Sequence, residues 1–453
     1  VTHRTATQNR TAALGFLILL NLLTYMDRQV LAGVEAAIQQ DLLPDDPNGQ
    51  AKMGLTATAF LVSYMVFAPL FGMLGDRMSR WTLVGLGTII GSLATGVSGL
   101  AGAFDSFAFL LIMRCIVGIS EAAYAPVAPA ILSDLYSPEE RGKTLSYFYV
   151  AIPVGSALGY ALGGLAVKFA SWQWAFFLLA PPGIVLGIVA MFIRDRRPAG
   201  YVRPASPWAG LPLAQRVPAA IRHRFGEYKT LWRIRSYVYC CLGMTAMTFA
   251  MGAMSFFMPR YVLQRWPDST LGEVNLIFGV IVVVSGLVAT LLGGYLGDKL
   301  RARVRGSYFV VSSAGLFASF PMILLMLVVP FPFAWVFVFF AVFFLFFNTG
   351  PANTILANVT SPTIRTTGFA INIFIIHAFG DAISPLVLGI IADRSSLTIG
   401  FLVVSVMIFL GAVLWALGAR HLDADTAAAS DPAPTPPGPL SPPSPPQSAQ
   451  VGL

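Results

Sequence analysis

Four ionisable residues stand inside long apolar runs of this 453-residue chain: Asp27 and Arg28 in LLTYMDRQVLAGV, and Arg114 and Glu121 in FLLIMRCIVGISEAAYAP. A charge at the centre of a bilayer costs about 2.5–3.5 kcal/mol on insertion scales, so each needs a partner or a task. For Arg28 and Arg114 the task is recognition of a phosphate or carboxylate by a planar, permanently charged fork. Tyr25 and Tyr124 stand beside them as further substrate contacts. For Asp27 and Glu121 it is proton binding, because a carboxylate poised between burial and a cation can trade its proton for substrate or for a conformational change. The plain alternative for all four is ion pairs that only orient helices.

Other positions carry weaker signals. His377 and Asp381 are four apart, hence on one helix face, and such a pair relays protons or makes a satisfied helix–helix contact. Met244, Met247, Met251, Met254 and Met258 recur at helical spacing. A stripe of this kind is packing, or a pliable lining for an acyl chain that Met247 and Met251 would serve. Asn348, Asn353 and Asn372 are polar enough to suspect a cavity. No metal site is expected, since His3, His223, His377 and His421 form no ligand cluster.

The elements that must position these residues are membrane helices. The chain is 56% hydrophobic and 11% charged, with a mean hydropathy of +0.72, whereas a soluble domain carries roughly 25% charged residues. The net charge of +8 would suit nucleic acid, but in a membrane chain it marks cytoplasmic loops. Three cysteines make neither a disulfide framework nor a metal pattern. Twelve apolar stretches reach spanning length: 11–37, 53–74, 81–102, 105–133, 144–168, 173–194, 236–260, 271–297, 307–329, 331–357, 366–391 and 397–419. The first is expected to remain as an uncleaved span. Of the 29 Lys and Arg, 22 fall in one alternating set of segments, five in the other (Lys52, Lys168, Arg260, Arg265, Arg394), and Arg28 and Arg114 within spans. Both termini are therefore expected in the cytoplasm.

Helix rise gives depths. Asp27 lies about 24 Å from the cytoplasmic face, Arg114 about 13 Å below the outer face, and Glu121 about 10 Å further in. Asp27, Arg28 and Arg114 thus share a depth, and Asp27 is the expected partner of Arg114. Arg114 and Glu121 are two turns apart on one face, and each should meet another span. Gly155, Gly159 and Gly163 stripe the fifth span for close helix approach.

The chain repeats itself. GMLGDRMSR at 72–80 returns as GYLGDKLRAR at 294–303, and SPEER at 137–141 returns as SPTIR at 361–365, at offsets of 222 and 224. Two halves of six spans with matching loops are the parallel repeat of an alternating-access transporter. The expected organisation is a tail at 1–10, a six-helix bundle at 11–195, a basic linker at 196–235, a second bundle at 236–420, and a disordered Pro/Ser-rich tail at 421–453. The fold class is an all-α membrane protein of twelve transmembrane helices in two pseudo-symmetric six-helix bundles.

Gly72-x-x-Gly75-Asp76-Arg77-x-Ser79-Arg80 resembles the signature loop of the major facilitator superfamily, with Ser79 where that family usually has glycine. The resemblance implies inner gating loops at Gly72, Gly75, Asp76, Arg77 and Arg80, and at Asp298 and Lys299 in the second copy. Three stretches resemble the Spinster family: LLTYMDRQVLAGV, GISEAAYAPVAPAILSDLYS with AIPVGSALGY, and HAFGDAISPLVLG. That resemblance implies a carrier of lysophospholipid-like or sphingosine-phosphate-like amphiphiles. The expected function is a proton-driven secondary transporter of such an anion, with a symporter of a water-soluble organic anion as the alternative. A membrane-embedded enzyme or sensor has no nucleophile–base motif, metal cluster or soluble catalytic domain to support it. No cofactor is expected beyond a proton gradient. The expected partners are the bilayer and a small amphiphile, with no nucleic acid, for a monomer in a bacterial inner membrane.

Overall fold

The computed structural model describes residues 2–136, 138–195, 229–360 and 364–430. Among the described residues twelve helices are long and apolar enough to cross a membrane: spans 1 to 6 are Arg10–Leu42, Gly49–Ala68, Arg80–Ala101, Phe107–Pro129, Tyr147–Phe169 and Trp172–Phe192. Spans 7 to 12 are Arg235–Arg265, Leu271–Leu300, Ser307–Val328, Ala334–Val359, Gly368–Arg394 and Leu397–Gly418. Each matches one stretch read from the sequence. The face at which span 1 begins is called the near face below, and the opposite one the far face.

Local chemistry sets the ends. Ser79, Ser106 and Ser396 accept the Thr82, Phe109 and Ile399 amides, each at 3.3 Å, and so cap spans 3, 4 and 12. Thr270 and Glu273 form a capping box on span 8. Span 4 breaks after Ala122 and resumes at Val127, and span 10 breaks after Phe346 and resumes at Thr349. Prolines sit at both resumptions, Pro126 and Pro351, where a missing amide interrupts the helical ladder. The breaks fall at equivalent places in the internal repeat.

Packing follows the glycines. A side chain at Gly155 or Gly159 would run into the Leu22 or Met26 carbonyl, so the stripe on span 5 lets span 1 lie against it. Two parts of the chain differ from expectation. The first helix begins at Thr2, inside the stretch read as a tail. Beyond the twelfth span, Leu422–Ser430 is helical, with Leu422 buried and Asp425 Oδ2 accepting the Ser236 amide at 2.8 Å. The buried Leu422 and the Asp425 carboxylate bound to the start of span 7 order what composition alone reads as tail. The Pro/Ser-rich remainder and residues 196–228 of the basic linker lie outside the described residues.

The two halves meet toward the far face. Arg260 Nη1 on span 7 donates to Glu35 Oε1 on span 1 at 2.9 Å and also to Gln39. Asn275 Nδ2 donates to the Gly33 carbonyl at 2.7 Å, and the Tyr160 hydroxyl donates to the Ser255 carbonyl. Asp393, at the end of span 11, accepts the Gln50 and Ala51 amides at 3.0 and 2.7 Å and so caps span 2 across the interface. These helices touch backbone to backbone, because a methyl group at Gly54 would meet the Pro385 carbonyl and one at Gly389 the Gln50 carbonyl.

Candidate functional site

A cavity of about 300 Å³ lies between the halves, below the closed far face. Tyr25, Asp27 and Arg28 of span 1 and Arg114 of span 4 line it from the first half. Met251 of span 7 and His377 and Asp381 of span 11 line it from the second. Apolar side chains, among them Leu31, Phe60, Leu61, Phe256, Val282 and Phe346, make up much of the rest of the wall, with Gln29, Ser156, Thr248 and Ser255 between them. The site is a charged floor in an apolar chamber.

Two ion pairs organise that floor. Arg28 grips Glu121 bidentately, Nε to Oε2 at 3.1 Å and Nη2 to Oε1, while its guanidinium lies 5.0 to 5.8 Å from the ring centres of Tyr25, Phe60 and Tyr64. An aromatic cage of this kind holds a desolvated cation through the negative faces of the rings. Arg114 is 2% exposed and stands 3.7 Å from Asp27, as the shared depth anticipates. Its Nη2 donates to Ser98 Oγ at 3.0 Å, and Asp27 Oδ2 accepts from Thr95 Oγ1 at 2.8 Å. The Asp27–Arg114 contact is the looser of the two.

The Arg28–Glu121 pair was not read from depth, and side-chain direction explains it. Helical side chains lean toward their own helix N-terminus. Span 1 starts at the near face and span 4 at the far face, so Arg28 leans down and Glu121 leans up until they meet.

On the other half, His377 Nδ1 lies 2.9 and 3.1 Å from the two Asp381 oxygens, beside a kink in span 11 where Gly380 leaves the helical conformation (φ −106°, ψ −105°). Tyr64 approaches His377 edge-on with ring centres 6.5 Å apart, so one tyrosine touches both the Arg28 cage and the His–Asp pair.

Several expected contacts lie elsewhere. Tyr124 is buried in the first half, its hydroxyl donating to the Leu17 carbonyl at 3.2 Å. Met247 is buried within the second half, so of the methionine stripe it is Met251 that reaches the cavity. Asn348 donates to the Leu345 carbonyl at the break of span 10, and Asn372 is buried away from the wall. Tyr124 and Asn348 fall in the non-helical breaks of spans 4 and 10, where helical spacing does not give a side chain's direction, and Met247 and Asn372 lie on helix faces turned away from the cavity. Arg80 forms an ion pair with Asp195 at 3.0 Å within its own half, and Asp298 accepts from Tyr308 at 2.9 Å. Lys299 lies over the Tyr295 ring. Among the described residues, each of these contacts lies within its own half. The surroundings of Gly72 and Gly75 and the side chains of Asp76 and Arg77 lie outside what is described.

Sequence reasoning passed over the far-face contacts. One signal was available: Gly389-x-x-x-Asp393-Arg394-x-Ser396 repeats the spacing of Gly72-x-x-x-Asp76-Arg77-x-Ser79. In both copies the serine caps the following helix. Glu35, eight residues beyond Asp27 in the same apolar run, was equally visible.

Two bundles around a central charged cavity are the architecture of an alternating-access carrier, and comparison with known proteins agrees. The model of the Major Facilitator Superfamily matches residues 17–380. Protein spinster homolog 1 of Rattus norvegicus is 36% identical over 394 residues, covering 83% of this chain and 71% of the relative. The sphingosine-1-phosphate transporter SPNS2 of Danio rerio is 32% identical over 402 residues, covering 84% and 76%. A crystal structure of a bacterial homolog of the human lysosomal transporter Spinster, inward-facing and unoccupied, superposes with a TM-score of 0.75 at 20% identity, covering 92% of this chain and 98% of that one. The chain therefore belongs to the major facilitator superfamily and, within it, to the Spinster family. It is an integral membrane transporter, not an enzyme.

Proposed function

We propose that this transporter moves an amphiphilic anion, of the lysophospholipid or sphingosine-phosphate type, together with a proton. One observation carries the reading: Arg28 lines an apolar-walled cavity while Glu121 holds its guanidinium from the side. An anionic headgroup and Glu121 compete for the same cation. A headgroup on Arg28 releases Glu121, and a released carboxylate in this setting takes a proton; by reciprocity, the proton tightens the anion. Anion and proton are then carried in one complex, with Arg114 as the second headgroup contact and the apolar wall taking the chain. Asp27 and the His377–Asp381 pair are the further proton-binding groups.

The excess of Lys and Arg on near-face segments supports a cytoplasmic near face, with both ends of the chain there. With the far face closed, the conformation is then inward-facing. Short loops support a bacterial inner membrane. We propose a two-bundle organisation at 11–195 and 236–420, with the Asp76 and Asp298 loops as inner latches of a monomer.

The test is flux from purified protein in liposomes holding a pH-sensitive dye. Lysophospholipids, sphingoid phosphates and small organic anions are added outside in turn. Acidification of the lumen with the lipids alone is the expected result. Acidification with soluble anions alone replaces the cargo, and alkalinisation replaces co-movement with exchange.

A further inference from the structure

Asp27 and Glu121 line a second, smaller cavity that the anion site does not use. It lies inside the first half, between spans 1, 3, 4 and 6, and holds about 50 Å³. Thr24 and Asp27 face it from span 1, Thr88 and Thr95 from span 3, and Ser120 and Glu121 from span 4. A water needs on the order of 10–15 Å³ of such space and two to four polar partners, so the chamber has room and partners for a few. Several of its hydroxyls already donate elsewhere, Thr88 to the Val84 carbonyl at 2.8 Å and Ser120 to the Val117 carbonyl at 2.7 Å. Their lone pairs stay available to accept from water. Among the described residues Asp27 Oδ1 has no hydrogen-bond donor, with Arg114 Nη1 3.7 Å away.

The division of charges between the two cavities is the telling feature. Both arginines line the central cavity, and neither lines the chamber. Glu121 lines the chamber, and Asp27 lines both. The Arg28–Glu121 pair therefore bridges the wall between them, with its cation on the anion side and its carboxylate on the other. A carboxylate reached only through the central cavity would be shut off from protons whenever an amphiphile filled that cavity. The chamber removes the conflict.

We infer that this chamber is a water site through which protons reach Asp27 and Glu121 from within the first half, separately from the path of the anion. The inference rests on the proton coupling proposed above. The groups around the two acids are accounted for. Asp27 faces Arg114 from span 4 and Thr95 from span 3, with Arg28 next to it on its own helix. Glu121 faces Arg28 from span 1, with Tyr25, Tyr64, Tyr124 and His377 within electrostatic reach.

The test removes two of the chamber's hydroxyls without changing its shape. Thr24→Val with Thr88→Val replaces two hydroxyls by methyl groups at positions outside the central cavity, and Thr24→Ser with Thr88→Ser keeps both hydroxyls. Proton flux is read in the liposome assay with oleoyl lysophosphatidylglycerol, and binding of the same lipid by tryptophan fluorescence. The valine variant is expected to bind within about twofold of wild type and to lose about tenfold or more in lipid-dependent proton flux, while the serine variant keeps most of it. Wild type that moves protons beside a valine variant with unchanged flux overturns the chamber alone. Wild type that moves no protons removes the coupling on which both readings rest. A valine variant that also loses lipid binding marks the two threonines as structural and likewise overturns the inference.

Discussion

Arg28 and Glu121, 93 residues apart, form a bidentate ion pair, with Nε 3.1 Å from Oε2 and Nη2 on Oε1, under a cage of three aromatic rings. A fork so held is shaped for a carboxylate or phosphate, and its present partner can be displaced by another of the same geometry. Coupling between cargo and proton follows from that exchange.

Glu121→Gln keeps the shape and removes the competing charge. Binding of an anionic lysolipid should hold or tighten, while lipid-dependent proton flux falls by about a hundredfold. Equilibrium binding and dye flux on the same preparation separate the two effects. Flux near the wild-type level would move the coupling proton to another group.

Reversing the Asp27–Arg114 pair by Asp27→Arg with Arg114→Asp should restore more transport than either single change retains. Each single change leaves a buried charge unpaired, at a cost of about 3–5 kcal/mol. A double variant no better than the worse single one would show that the two residues act separately.

At the far face, Glu35 is 1% exposed and paired with Arg260 at 2.9 Å. Arg260→Met strands a buried carboxylate, whereas Glu35→Gln leaves an arginine that still holds Gln39. The first should therefore destabilise the closed far face more, by about 2 kcal/mol or greater. Spin labels across spans 1 and 7 report the distance, and Arg260→Met should widen it. Equal widening in the two variants would contradict the asymmetry.

Asp393→Asn weakens the cap on span 2 while keeping its size. The loss of a charge at a helix N-terminus is about 0.3–1 kcal/mol, so the shift toward an open far face should be smaller than for Arg260→Met. Gly54→Ala should shift it further, because no carbonyl can move aside for the methyl group. Accessibility of a cysteine placed beside Pro385 ranks the three.

The spans were legible in the sequence because twenty apolar residues have few other uses, and the repeat of GMLGDRMSR fixed their grouping. The Asp27–Arg114 contact was legible too, since depth along a helix follows from residue count. Arg28 and Glu121 escaped because depth was counted along the backbone, while two antiparallel helices tilt their side chains toward each other. Tyr124 and Asn348 escaped because spans 4 and 10 break there, and Met247 and Asn372 for another reason. Depth says how far along a helix a residue stands but not which way it faces. Met251 and Met247 occupy neighbouring turns of one span, yet the first meets the cavity and the second the core.

The central claim is that one arginine serves both the cargo and the proton-carrying carboxylate. Its most direct measurement is the affinity of the purified protein for oleoyl lysophosphatidylglycerol as a function of pH, in wild type and in Glu121→Gln. Wild type should bind more tightly as pH falls, because a proton on Glu121 frees Arg28, and the variant should bind tightly at every pH. A pH dependence as steep in Glu121→Gln as in wild type would contradict the account.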